Sequence, residues 1–84
     1  MYSYPIDYEI YSKEEIVKIV EFLDLIVEAN TKKINEAKLI AKYKEYQKVI
    51  NAKSTLKRID KDFESITGYS IYKTMKKITL QKEV

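Results

Sequence analysis

Eighty-four residues make one small domain with little core to spare, because a chain this short buries only about 60–65% of the surface it exposes unfolded. The chain has neither Cys nor His, which removes disulfides, thiol nucleophiles, thiolate metal sites, and the commonest general base and metal ligand. No apolar run approaches the roughly 18 residues of a membrane span, and the first residues lack the basic-then-apolar plan of a secretory signal, so a cytoplasmic protein is expected, with no membrane partner. The net charge of +3 is unevenly spread: residues 1–30 hold 2 Lys/Arg against 7 Asp/Glu, and residues 31–84 hold 14 against 6. Acidic and basic helices facing each other inside a bundle account for such a split, and so does a charged docking surface.

The chain starts with Tyr2, Tyr4, Ile6, Tyr8 and Ile10 alternating with Ser3, Pro5, Asp7 and Glu9. Period two means extended backbone, yet no later stretch reads as a partner strand and Pro5 removes a ladder donor. Residues 1–11 are therefore expected as an extended arm laid on the helices, apolar side inward, against a groove beside Tyr69 and Tyr72.

The first helix, expected over 12–30, is the longest and most apolar. Ser12 with Glu15 three residues on forms a capping box, Tyr11 and Ile16 sit at the staple positions, and Glu14 and Glu15 suit the positive end of the macrodipole. At about 100° per residue, Ile16, Ile19, Val20, Leu23, Ile26 and Val27 form one wide aliphatic stripe. Glu14, Lys18, Glu21 and Glu28 fall opposite. Phe22 lies at the stripe's edge and Leu25 near the middle of the polar face. Lone exposed apolar residues are ordinary; the sharper expectation is that these two touch another chain.

A second helix is expected over 35–50, capped by Asn35, with Leu39, Tyr43, Tyr46 and Ile50 on one side. The following stripe, Leu56, Ile59, Phe63 and Ile66, would face nearly the opposite way if the helix ran on. A break near 51–54 resolves this, with Asn51 or Ser54 as the new cap. The third helix, 53–67, ends at Gly68, suited to a left-handed residue after the helix. Ser70 then caps a fourth helix, 70–80, with Ile71, Met75 and Ile78 inward, so a sharp corner falls at 68–70.

Little in this chain carries catalytic chemistry. Asp60, Asp62 and Glu64 do not share one face, no calcium loop is present, and a single Gly forms no phosphate loop. No enzyme activity, metal or cofactor is expected. Lys53, Lys57, Arg58 and Lys61, then Lys73, Lys76 and Lys77, form basic runs among plentiful tyrosines. Acidic residues interrupt the third helix, however, and one Arg is few for reading base edges. A solvated face is the commoner origin of such runs.

Two stretches together resemble a known family. Tyr2-Ser3-Tyr4-Pro5-Ile6-Asp7 followed by Ser12-Lys13-Glu14-Glu15-Ile16, and later Gly68-Tyr69-Ser70-Ile71-Tyr72-Lys73, are similar to the small uncharacterised family of Gram-positive bacteria catalogued in the UPF series as zero-two-two-three. Leu39, Tyr43, Val49, Ile50, Lys53 and Phe63 also fit its pattern. Tyr11 stands where the family usually has Trp, and Asn51 where it usually has Pro. The resemblance implies a small all-helical cytoplasmic domain with no assigned activity and no catalytic residues to carry over.

The expected fold is all-α: a single domain over 1–84, an irregular four-helix bundle with an N-terminal arm. Its expected core adds Ile16, Ile19, Val20, Leu23, Ile26 and Val27 to the three later stripes. The expected function is a non-enzymatic protein-interaction module with an unidentified protein partner or a second copy of itself. Nucleic-acid association through the third and fourth helices is the alternative. Tyr2, Tyr4, Tyr8, Phe22, Leu25, Tyr69 and Tyr72 are the candidate contact residues.

Overall fold

A computed structural model describes residues 4–82. Four helices follow in chain order: α1 (Lys13–Thr31), α2 (Glu36–Val49), α3 (Lys53–Thr67) and α4 (Ile71–Lys82). No strand occurs among the described residues. At 19 residues α1 is the longest; α2 and α4 pack directly on it, and α3 packs on α4.

The helix ends follow their local chemistry. The Ser12 Oγ accepts from the Glu15 N–H at 3.2 Å, and the Glu15 carboxylate accepts from the Ser12 N–H at 2.8 Å, closing the capping box. Asn35 caps α2 by accepting from the Lys38 N–H at 3.2 Å. Gly68 ends α3 at φ 85°, in the left-handed region, which an L side chain enters only at a cost of about 1 kcal/mol or more. The break between α2 and α3 falls at residues 50–52, where the opposed stripes require it. Its cap differs from expectation: neither Asn51 nor Ser54 is used, and α3 opens after Ala52 with no side-chain hydrogen bond. Ile50 at the break and Ile59 and Phe63 of α3 are nevertheless core residues, each at most 2% exposed.

The core runs through Ile19, Phe22, Leu23 and Ile26 of α1, Leu39 and Tyr46 of α2, Ile59 and Phe63 of α3, and Ile71, Met75 and Ile78 of α4. Three expectations need correction here. Phe22 is fully buried rather than a contact for another chain, because α2 lies on that side of α1: its ring stacks on Tyr46 at 4.6 Å and meets Tyr43 at 5.5 Å. Leu25 is half-buried against the same core rather than standing free. Ile66, expected inside, is 43% exposed, since the α3 stripe runs past its partners in the last turn before Gly68.

The arm follows its alternation only part of the way. Ile6 is buried, and its N–H bonds to the Tyr4 carbonyl at 2.9 Å, a tight turn about Pro5. The Asp7 side chain then accepts from the Glu9 N–H and its carbonyl from the Ile10 N–H, so the chain turns at 8–10. That Asx-type turn ends the period-two pattern and leaves Tyr8 and Ile10 exposed rather than inward. The docking place is also different. Tyr4 packs on Phe63 of α3 with ring centroids 5.8 Å apart and donates its hydroxyl to Asp24 of α1, instead of reaching a groove beside Tyr72.

Candidate functional site

The structure scatters the contact residues expected from sequence. Tyr2 lies outside the described residues. Tyr4 is committed to Phe63 and Asp24, Phe22 is inside the core, and Leu25 and Tyr69 are half-buried against it. Tyr8 is exposed at the arm's turn. Tyr72, 61% exposed at the start of α4, stands at the rim of a groove with mainly apolar walls.

That groove, about 490 Å³, lies between α2, α3 and the first turn of α4. Tyr43 and Tyr46 project from α2 three residues apart, hence onto one face. Leu56, Lys57 and Asp60 line it from α3, and Ser70, Ile71, Tyr72 and Lys73 from the corner and α4. Its walls are mainly aromatic and aliphatic, with the exposed Lys57 and Lys73 at the margin. Tyr72 also sits under a cation, with the Lys76 Nζ 5.8 Å from its ring centre.

Asp60 builds one side of the groove by holding the corner. Its carboxylate accepts from the Ile71 N–H at 2.8 Å and the Tyr72 N–H at 3.3 Å, while the Ser70 Oγ donates to it at 3.4 Å. The Ser70 Oγ accepts from the Lys73 N–H at 3.2 Å. The first three amides of α4 are thus satisfied by two side chains, one of them from α3. An incoming anion finds this helix start already occupied by the protein's own carboxylate.

Tyr46 forms the floor. It is 1% exposed, its ring stacks on Phe22, and its buried hydroxyl has no hydrogen-bond partner among the described residues. Leaving a buried polar group unpaired costs about 1–3 kcal/mol, and native chains seldom tolerate one without a reason. Burial pushes the Tyr46 hydroxyl well above its ordinary pKa, and the negative charge of Asp60 adds to this. Tyr43 is pushed up by the same two causes in the same order. Both phenols are protonated at neutral pH, and Tyr46 holds an unused donor beneath an apolar groove.

A larger hollow of about 610 Å³ lies where α1 turns into α2, lined by Lys32, Lys33 and Lys77 among others. Its internal polar groups are already paired. The Asn30 Nδ2 donates to the Ile26 carbonyl and to the Thr74 Oγ1, and the Thr74 hydroxyl donates to the Ser70 carbonyl at 2.7 Å. Among the described residues no unpaired buried side-chain group lines it. Among the described residues no three acidic side chains come together as a metal site, and no helix is long and apolar enough to cross a membrane.

On α3 the basic run is not one face. At about 100° per residue, Arg58 shares a side with Asp62, and Lys57 and Lys61 share one with Glu64. Sequence reasoning treated Tyr43 and Tyr46 as core and missed the groove. The available signal was an acid, Asp60, at the edge of the apolar stripe of α3 and ten residues before a capping Ser.

No solved structure matches the chain. A UPF0223 protein of Listeria welshimeri is 45% identical over 74 residues, covering 88% of this chain and 81% of its own length. One from Lactiplantibacillus plantarum is 41% identical over 75 residues (89% and 76%), and one from Bacillus cytotoxicus 40% over 76 residues (90% and 84%). The uncharacterised protein family UPF0223 matches across residues 1–84, from the Tyr-Pro arm through the corner that Asp60 holds, and the chain belongs to that family.

Proposed function

We propose that this chain is a non-enzymatic, cytoplasmic interaction module that docks a segment of a partner protein in the groove between α2, α3 and α4. The observation that carries this is a groove with mainly apolar walls that Tyr46 helps to line, together with that residue's buried hydroxyl, which has no hydrogen-bond partner among the described residues. A surface of this kind with convergent polar groups is the usual form of a binding site, and Tyr is a frequent anchor in protein contacts. The lack of His and Cys supports a binding role over catalysis.

A photo-crosslinking residue in place of Tyr72, compared with one in place of Tyr8, tests the proposal in cells. Both positions are exposed, at 61% and 57%, so they sample solvent about equally. Discrete protein adducts from position 72 that Lys57→Glu with Lys73→Glu abolishes are expected. Equal adducts from both positions, insensitive to the charge reversals, would contradict docking in the groove. A single adduct of twice the chain's mass would make the partner a second copy.

A further inference from the structure

Resting on the docking role just proposed, we infer that the groove's occupant is an acidic peptide segment that seats one bulky apolar side chain and offers a backbone carbonyl to the Tyr46 hydroxyl. Three features narrow the occupant. The walls formed by Tyr43, Leu56 and Ile71 favour an apolar side chain. Lys57 and Lys73 at the margin favour acidic neighbours on either side of that anchor, in keeping with the excess of 14 Lys/Arg over 6 Asp/Glu across residues 31–84. The floor favours a neutral acceptor. Tyr46 has a hydroxyl to donate and no acceptor among the described residues, while the Asp60 carboxylate that lines the same groove repels a ligand carboxylate there.

A peptide carbonyl is the neutral acceptor that any extended segment carries at every residue. The hydroxyl is closed off in the free protein, so a ligand reaches it only when side chains lining the groove change rotamer on binding, as is common at interfaces. The unpaired hydroxyl of the free protein is then satisfied only in the complex. Binding recovers what folding leaves unpaired, which makes the hydroxyl a specificity element rather than a defect of the core.

Selection of a displayed library of random peptides against the full chain tests this. Enriched sequences are expected to carry one bulky aliphatic or aromatic residue flanked by Asp or Glu. A synthetic peptide of the enriched sequence should bind about fivefold more weakly to Tyr46→Phe, the loss of roughly one hydrogen bond. It should lose binding to Lys57→Glu with Lys73→Glu and regain it when its own acids become Lys. The melting temperature of each variant is read alongside: Tyr46→Phe should melt several degrees higher than the natural chain, which separates lost recognition from lost folding.

Enriched peptides that compete at the groove yet are neutral or basic, or bind Tyr46→Phe undiminished, overturn the inference and leave the docking role standing. Selection of no peptide sensitive to groove substitutions removes both. A lower melting temperature for Tyr46→Phe shows that the hydroxyl is already satisfied in the free protein, and overturns the inference as well. Self-association abolished by Tyr72→Asp assigns the groove to a second copy and overturns it too.

Discussion

Removing one oxygen atom from Tyr46 separates a core residue from a recognition residue. A phenol that merely fills space beside Phe22 should be replaceable by Phe with little change or a small loss. A buried hydroxyl without a partner should be replaceable with a gain of about 1 kcal/mol. Titration gives a second handle on the same atom. Its folded pKa lies above its unfolded value of about 10, so the folded state keeps a proton that the unfolded state releases. The associated stability is fully present below about pH 10 and is lost as pH rises toward the folded pKa, at about 1.4 kcal/mol per pH unit. Tyr46→Phe lacks that proton. Urea unfolding from neutral to alkaline pH should therefore show the variant's advantage widening above about pH 10. An unchanged difference across that range would mean the hydroxyl is solvated in the folded chain.

At the scale of elements, the corner between α3 and α4 is the part on which the groove depends. Asp60→Ala removes the acceptor for two amides of α4, at 2.8 and 3.3 Å, and should cost about 1–2 kcal/mol in chemical denaturation. Loss of helix signal should be largest in α4 by amide exchange; uniform loss across all four helices would contradict the local role. Gly68→Ala should cost about 1 kcal/mol for a different reason. A Cβ there meets nothing within 4 Å, so the whole cost is the left-handed backbone at φ 85°. Gly68→Asn should recover part of it, and equal losses for Ala and Asn would contradict that origin. Much of this architecture was legible in the sequence. Ser12 with Glu15, Asn35, and Gly68 before Ser70 act within three or four residues, where composition and spacing suffice. What escaped was made by contact between elements. Phe22 is buried because α2 lies on that flank of α1, Asp60 caps a helix that starts eleven residues later, and α3 opens after Ala52 with no side-chain cap. Tyr43 and Tyr46 were read as core residues, which for Tyr46 was right, but the unpaired state of its hydroxyl depends on tertiary neighbours that no spacing reveals.

Across the whole molecule, the charge division visible in the sequence is only partly consumed by internal pairing. Lys42 of α2 bridges Glu21 of α1 at 3.5 Å and Glu45 of its own helix at 3.7 Å, both at the surface, where such pairs contribute less than about 1 kcal/mol. The acidic face of α1 and the lysines around the groove therefore remain available to distinguish one partner from another by sign. The large apolar side chains left exposed also divide, with Tyr8, Ile10 and Val17 toward the start of the chain, Ile66 in the last turn of α3, and Tyr72 at the groove. A backbone amide shift map of the whole chain, titrated with a library-selected acidic peptide, discriminates among these surfaces in one measurement. Perturbations should concentrate at Tyr43, Tyr46, Leu56, Asp60, Ile71 and Tyr72, with Glu14, Glu21 and Glu28 silent. Shifts centred on Tyr8, Ile10 and Val17, or spread evenly over every lysine-bearing face, would contradict docking in the groove between α2, α3 and α4.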